Sequence, residues 1–161
     1  MHDEPDAALA AFSEAIALVR AGAGDASLSE LLLSSAVLLL GRDPTSAIEA
    51  LREAFVFSGF VSDLSQIATG ADRGATVFQA VGAPQAAAVL LGAACGPLDA
   101  STAIDPVDRA ARQMLAEKLR GELGDDGYGD AAARGRAMSP SELVDFALGV
   151  IDEWLTERAN G

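Results

Sequence analysis

The side chains that most often carry out chemistry in proteins are scarce in this chain of 161 residues. His2 is the only histidine, so one copy of the chain cannot form a histidine triad or a multi-histidine metal site. Cys95 is the only cysteine, and with no basic neighbour in sequence it is predicted to be a small buried core residue. The inventory therefore predicts a protein that is not an enzyme and that binds no metal or cofactor.

Two pairs of adjacent carboxylates, Asp125–Asp126 and Asp152–Glu153, are the remaining candidates for acid–base chemistry. Adjacent residues on a helix point in different directions, so each pair is predicted to be solvated surface charge. Asp125, Asp126 and Gly127 resemble the start of a calcium loop, but the rest of the ligand spacing is missing. A small enzyme with an atypical carboxylate or arginine site is therefore the least favoured alternative.

Polar side chains recur every three or four residues along one predicted helix, opposite its large apolar residues. This candidate binding stripe consists of Ser62, Gln66, Thr69, Arg73 and Thr76. The functional interpretation is a groove for a partner or a small effector, and the alternative is an ordinary solvated helix face.

Two further features carry candidate contacts. Arg134 and Arg136 flank Gly135, and this basic turn is either an anion or partner contact or a favourable charge near a helix end that the glycine terminates. Trp154 lies on an apolar stripe and is predicted to cap the two preceding helices.

The helices that position these residues follow from a spacing that occurs three times. After each of Pro5, Pro44 and Pro84, an alanine follows at the third position, a large apolar residue at the seventh and an alanine at the tenth. Residues three and four apart share one helix face, so each copy predicts a close approach between helices. A period near 40 residues is typical of helical-repeat proteins, in which each helix pair packs on the next.

Composition agrees with an all-helical fold, because half of the chain is apolar, alanine is abundant and only 5% is aromatic. We predict about eight helices in one domain, stacked as antiparallel pairs in a tetratricopeptide-like α-solenoid. Repeat-like helices occupy 1–97 and a C-terminal helical cap occupies 98–161. Ser27, Asp43 and Ser139 are predicted to begin helices, and Ser58–Gly59 and the region around 124 are predicted to break them.

The charge of the chain restricts its partners. With 24 acidic and 11 basic side chains the formal net charge is −13, which opposes contact with nucleic acids and with anionic membranes. No apolar run is long enough to span a bilayer, and a single cysteine fits a reducing compartment. The sequence therefore predicts a cytoplasmic protein that binds neither nucleic acid nor membrane.

Two stretches resemble known families. The spacing of alanine, large residue and alanine resembles the second helix of a tetratricopeptide repeat. The segment 87–94 and the stretch Gly135–Ser139 with Glu142 are similar to the repeat region of large bacterial regulators of the LuxR type. The resemblance covers about 43–155. It does not extend to a phosphate-binding loop, because the chain contains no Gly-x-x-x-x-Gly-Lys-Ser/Thr pattern.

The resemblance implies a protein-interaction or effector-sensing domain of a bacterial transcriptional regulator, which relays a signal to modules outside this chain. The partner would be another protein or a small effector. The alternative from another class is a self-associating structural module without a ligand. For self-association we predict a homodimer through the first helix, whose candidate interface residues are Phe12, Ile16 and Val19.

Overall fold

A computed structural model describes residues 3–22, 27–61, 63–96, 98 and 105–161, which form seven helices and no strand. The all-helical prediction is confirmed. The helices are α1 (Asp3–Arg20), α2 (Leu28–Leu39), α3 (Pro44–Val61), α4 (Leu64–Ala80), α5 (Pro84–Ala94), α6 (Pro106–Ala137) and α7 (Pro140–Asn160).

The predicted helix starts are capped as their sequences suggest. The hydroxyl of Ser27 accepts a hydrogen bond from the Glu30 amide, which caps α2. Asp43 precedes Pro44 of α3 and accepts hydrogen bonds from the Ser46 hydroxyl and amide, at 2.6 and 3.1 Å. These bonds stabilise the carboxylate and lower the pKa of Asp43. Local side chains therefore set the start of α2 and α3.

The α5 helix is the centre of the fold. Nine consecutive residues, 86–94, are buried, so this helix presents no polar face to solvent. A helix that is apolar on every side must be surrounded, and α5 packs on α4, α6 and α7. Its contact with α6 is the most extensive between any two helices of the described residues.

The repeated spacing lies at helix contacts, with one exception. Ala47 and Ala87, the first alanines of the second and third copies, are fully buried. Ala8 of the first copy is only half-buried. The difference arises because α1 packs on α2, whereas α3 and α5 each pack on several helices.

Most helix contacts join neighbours in sequence, but α7 packs back on α3 as well as on α4 and α5. In a strictly linear repeat array each unit touches only its neighbours. The return of α7 to α3 therefore departs from a linear stack, and it brings helices distant in sequence to the two sides of one groove.

The predicted break at Ser58–Gly59 is wrong, because α3 continues through both residues to Val61. The hydroxyl of Ser58 donates to the Ala54 carbonyl at 2.8 Å and lies 2.9 Å from the hydroxyl of buried Ser29. Gly59 allows close packing, since a Cβ there would lie 3.1 Å from Val144 Cγ1. Tertiary contacts thus outweigh the local preference of a serine–glycine pair for a helix end.

The predicted sixth and seventh helices meet at a kink at Gly124, where the sequence predicts a break, and are counted together as α6. Gly124 within it has φ of +75° and ψ of 163°, which is outside the helical region. Glycine tolerates this conformation without a Cβ clash, so the helix bends there without a connecting loop. The chain changes direction where the sequence predicts a break, but the number of helices is seven in the described residues.

A capping box begins α7 and supports a prediction about acid stability. Glu142 Oε2 accepts from the Ser139 amide at 2.7 Å, while the Ser139 hydroxyl accepts from the Glu142 amide at 3.2 Å. The hydrogen bond from the Ser139 amide, and to a smaller extent the Ser139 hydroxyl near the carboxylate, lower the pKa of Glu142 in the folded protein. The stability they contribute is present above the ordinary carboxyl pKa and is lost as the pH falls through the lowered value.

We therefore expect Glu142→Gln to destabilise the protein at neutral pH and to have a smaller effect in acid. Urea unfolding of wild type and variant across this range measures the difference. Ser139→Ala removes the other half of the box and should cost about 1 kcal/mol. A Glu142→Gln effect that is the same at every pH would contradict the assignment.

Candidate functional site

An apolar groove with a volume of about 530 Å³ lies between α3, α4 and the start of α7. Its walls carry the side chains of Val56, Leu64, Ile67, Val144 and Leu148. Two of them are large apolar residues left in contact with solvent, with Val56 47% and Leu64 56% exposed. Volumes of this size and an apolar lining are typical of small-molecule sites.

Polar groups occur on only one side of this apolar groove. Ser139, Ser141 and Asp145 line it from the first turns of α7. The Ser139 hydroxyl is committed to the capping box, whereas Ser141 and Asp145 are exposed. A ligand in the groove would therefore meet an apolar floor and one carboxylate, which favours an apolar molecule with a hydrogen-bond donor or a positive charge at one end.

A smaller cavity of about 180 Å³ continues the apolar groove toward α5 and α6. Leu64 and Pro140 line both cavities, and Met138 and Leu98 close the far side. The groove thus touches elements from both halves of the chain.

Only some residues of the predicted binding stripe on α4 line a cavity. Ser62 lies outside the described residues. Gln66 and Thr69 line a polar depression of about 330 Å³ between the first turns of α2 and α4. Arg73 and Thr76 are exposed farther along α4 and do not line this depression.

Several polar groups that line the polar depression already form hydrogen bonds with one another. The Gln66 amide nitrogen donates to Asp63 Oδ2 at 3.3 Å, and the Thr69 hydroxyl donates to the Ser65 carbonyl at 3.0 Å. Gln66 Oε1 is buried and accepts no hydrogen bond within the described part of the chain. Glu30 and Asp63 make the lining acidic, so the depression does not suit an anion.

Arg134 and Arg136 lie in the last turn of α6, as one of the two interpretations expects, but Gly135 does not terminate the helix. Gly135 is buried inside α6, two residues before its end, and packs directly on α5. Arg134 lies over the ring of Phe146, with 5.1 Å between the guanidinium carbon and the ring centroid. Arg136 lies against Gly96 at the end of α5. The two arginines thus contact different neighbours, and their role in binding stays a prediction.

The candidate interface on α1 is partly covered within the chain. Phe12, Ile16 and Val19 are half-buried, and α1 packs on α2. On the same helix Leu18 is 49% exposed. Dimerisation through this face stays a prediction.

Cys95 and Trp154 lie in environments that the sequence of the chain did not predict. Cys95 is exposed, so the prediction of a buried thiol is wrong. It caps the C-terminus of α5, where the buried helix reaches the surface. Trp154 donates its indole N–H to the carbonyl of Val81 at 3.4 Å, so it covers the turn between α4 and α5. Arg158 lies over its ring at 4.8 Å.

Sequence reasoning missed the apolar groove. Leu64 and Val144 belong to helices whose apolar residues are otherwise core, so their spacing alone does not distinguish a groove wall from a buried face. Pro140 and Ser141 line the groove, but their sequence pattern indicates only the start of a helix.

Three results bear on the class of protein. Among the described residues, no three histidine, cysteine, aspartate or glutamate side chains converge as metal ligands would. None of the helices in these residues has the length and apolarity needed to cross a membrane. No protein-family model, curated protein or solved structure matches the chain.

Proposed function

We propose that this chain is a non-catalytic, effector-sensing helical-repeat domain of a cytoplasmic bacterial transcriptional regulator, of the LuxR type that its sequence resembles. Its ligand is a small apolar molecule held in the apolar groove between α3, α4 and α7. The observation that carries the proposal is this groove, with its volume of about 530 Å³ and its mainly apolar walls.

The helix contacts support the repeat interpretation. If α2 with α3 and α4 with α5 are successive pairs, the first helices of the pairs should touch each other. The α2 helix does pack on α4, and α3 packs on α4 as the link between pairs. Under this interpretation α1 is the second helix of an incomplete pair, and α6 and α7 form the cap.

The position of the groove supports a relay. A ligand there contacts α3 and α4 of the repeat pairs and also α7 of the cap. If the ligand binds more tightly at one distance between α3 and α7, its binding favours the arrangement of the helices that has this distance. Modules joined to the cap would then respond to the ligand without contacting it.

Binding of a neutral apolar dye tests this proposal. We expect phenylnaphthylamine, whose fluorescence rises in apolar surroundings, to bind wild type saturably with one site. Leu64→Glu should weaken binding about tenfold, because contact with a leucine side chain contributes roughly 1.5 kcal/mol. Since Leu64 is 56% exposed, the variant should retain the fold.

Val107→Glu is the matched control, because Val107 is 75% exposed on α6 and does not line the apolar groove. It introduces the same charge and removes a similar apolar surface, and it should leave dye affinity unchanged. Equal losses in both variants, or no saturable binding by wild type, would refute the groove as the ligand site.

A further inference from the structure

We infer that the chain has a second, separate ligand site, which binds a small organic anion carrying a carboxylate or phosphate group. The site is a depression of about 320 Å³ between the end of α5 and one face of α6. Arg109, Arg112 and Arg120 line it together with Leu91, Cys95 and Tyr128, and we call it the arginine pocket. It goes beyond the proposed function, because it shares no residue with the apolar groove.

The charge of the arginine pocket is opposite to that of the chain. Acidic side chains outnumber basic ones by 24 to 11, yet three of the ten arginines surround this one depression. Only one carboxylate, that of Asp72, forms an ion pair with these three in the described residues. Arg109 and Arg120 form no ion pair within the described residues, so their positive charges are available to attract an anion.

The three guanidinium groups are held to different degrees. Arg112 Nε donates to Asp72 Oδ1 at 2.8 Å, and both side chains are mostly buried. Arg120 lies over Tyr128, with 4.8 Å from the guanidinium carbon to the ring centroid. Arg109 is exposed and forms no ion pair within the described part of the chain. Arg109 is thus the group best able to pair with an incoming anion. A guanidinium group can bind a carboxylate or a phosphate through two parallel hydrogen bonds.

The lining of the arginine pocket also explains why the ligand should have an apolar part. Leu91 is only 1% exposed, so the apolar surface of the pocket that a ligand can cover belongs mainly to the half-buried Tyr128 and Ala116. An aromatic or aliphatic body packed there would remove apolar surface from water while the anionic group meets the arginines. Inorganic phosphate shares the charge but not this contact, so it should bind more weakly.

Cys95 offers a direct readout of occupancy. It lines the arginine pocket, it is exposed, and it is the only cysteine of the chain, so intact mass reports its alkylation without ambiguity. Wild type is treated with iodoacetamide at constant ionic strength in the presence of phenyl phosphate, benzoate, inorganic phosphate or neutral benzyl alcohol. We expect phenyl phosphate or benzoate at millimolar concentration to slow the reaction saturably. Inorganic phosphate should protect less, and benzyl alcohol should not protect.

Arg109→Gln tests whether the anion is held by this pocket. Removing one charge at a partly exposed site should raise the half-protecting concentration about three- to tenfold. Arg158→Gln makes the same change in net charge on α7, outside the pocket, and should have no effect. Because Arg109 is exposed and unpaired in the described residues, circular dichroism should show that the variant folds.

The proposal is overturned if neither organic anion protects Cys95, or if benzyl alcohol protects as well as they do. It is also overturned if the two arginine variants respond alike. Protection by inorganic phosphate equal to that by phenyl phosphate would show that the apolar lining plays no part, and would refute the class of ligand. The dye experiment on the apolar groove has an independent outcome, because the dye is neutral and Leu64 does not line this pocket.

Discussion

Gly135→Ala is expected to destabilise the fold by about 1–3 kcal/mol, toward the top of that range. A Cβ at residue 135 would lie 1.8 Å from the carbonyl oxygen of Val89 on α5. A flexible side chain can move out of the way of a methyl group, but a buried helix backbone cannot, so α5 and α6 would have to separate. These are the two helices with the most extensive contact, and their separation would expose core residues on both.

The same close approach exists from the other side. A Cβ at Gly92 of α5 would lie 2.2 Å from the carbonyl oxygen of Ala132, so Gly92→Ala should be destabilising for the same reason. Urea unfolding with an unchanged slope would measure both losses.

Gly121→Ala is the matched control for these variants. It lies in α6 before the kink at Gly124, it is exposed, and no atom of another residue outside its own turn lies within 4 Å of its Cβ position. Alanine is the better helix former, so this variant should gain roughly 0.5–1 kcal/mol. If Gly135→Ala were neutral or stabilising like the control, the close packing of α5 on α6 would be disproved.

Phe55→Ala is expected to cost about 3–5 kcal/mol. Phe55 is one of the largest fully buried side chains, and its ring lies over Gly70 and Gly74 of α4. Neighbours without side chains cannot extend into the space that a missing ring leaves, so the cavity would persist. Phe146→Ala should cost less, because Phe146 is only half-buried.

A second substitution tests the cause of the Phe55→Ala loss. A Cβ at Gly70 would lie 3.3 Å from the Phe55 ring, which is tight in wild type and open once the ring is removed. Adding Gly70→Ala to Phe55→Ala should therefore recover part of the lost stability, through cavity filling and helix propensity. If the added alanine worsened the loss, Phe55 would not be the side chain that covers these glycines.

Local patterns predicted the starts of the helices well. Ser27, Asp43 and Ser139 all cap helices as expected, because capping depends on residues within one turn. The buried alanines Ala47 and Ala87 also follow from spacing, since residues three and four apart share one helix face.

Features that depend on distant residues could not be predicted in this way. Ser58 and Gly59 have local preferences for a helix end, yet contacts with Ser29 and Val144 keep α3 continuous. Gly92 is required because the backbone of α6 packs against it, and Gly135 is required because the backbone of α5 does. Nothing in the sequence around either glycine indicates this contact. The apolar groove arises because α7 returns to α3, and no short pattern encodes that return.

The claim that the apolar groove is a ligand site is tested most directly by methyl NMR. Its walls carry the methyl-bearing residues Val56, Leu64, Ile67, Val144 and Leu148, so a protein labelled at isoleucine, leucine and valine methyls reports binding along the whole groove. During titration with phenylnaphthylamine we predict saturable shifts concentrated at Ile67, Val144 and Leu148. Shifts concentrated at Ile16 and Val19 on α1, or no saturable shift at any methyl, would contradict the account.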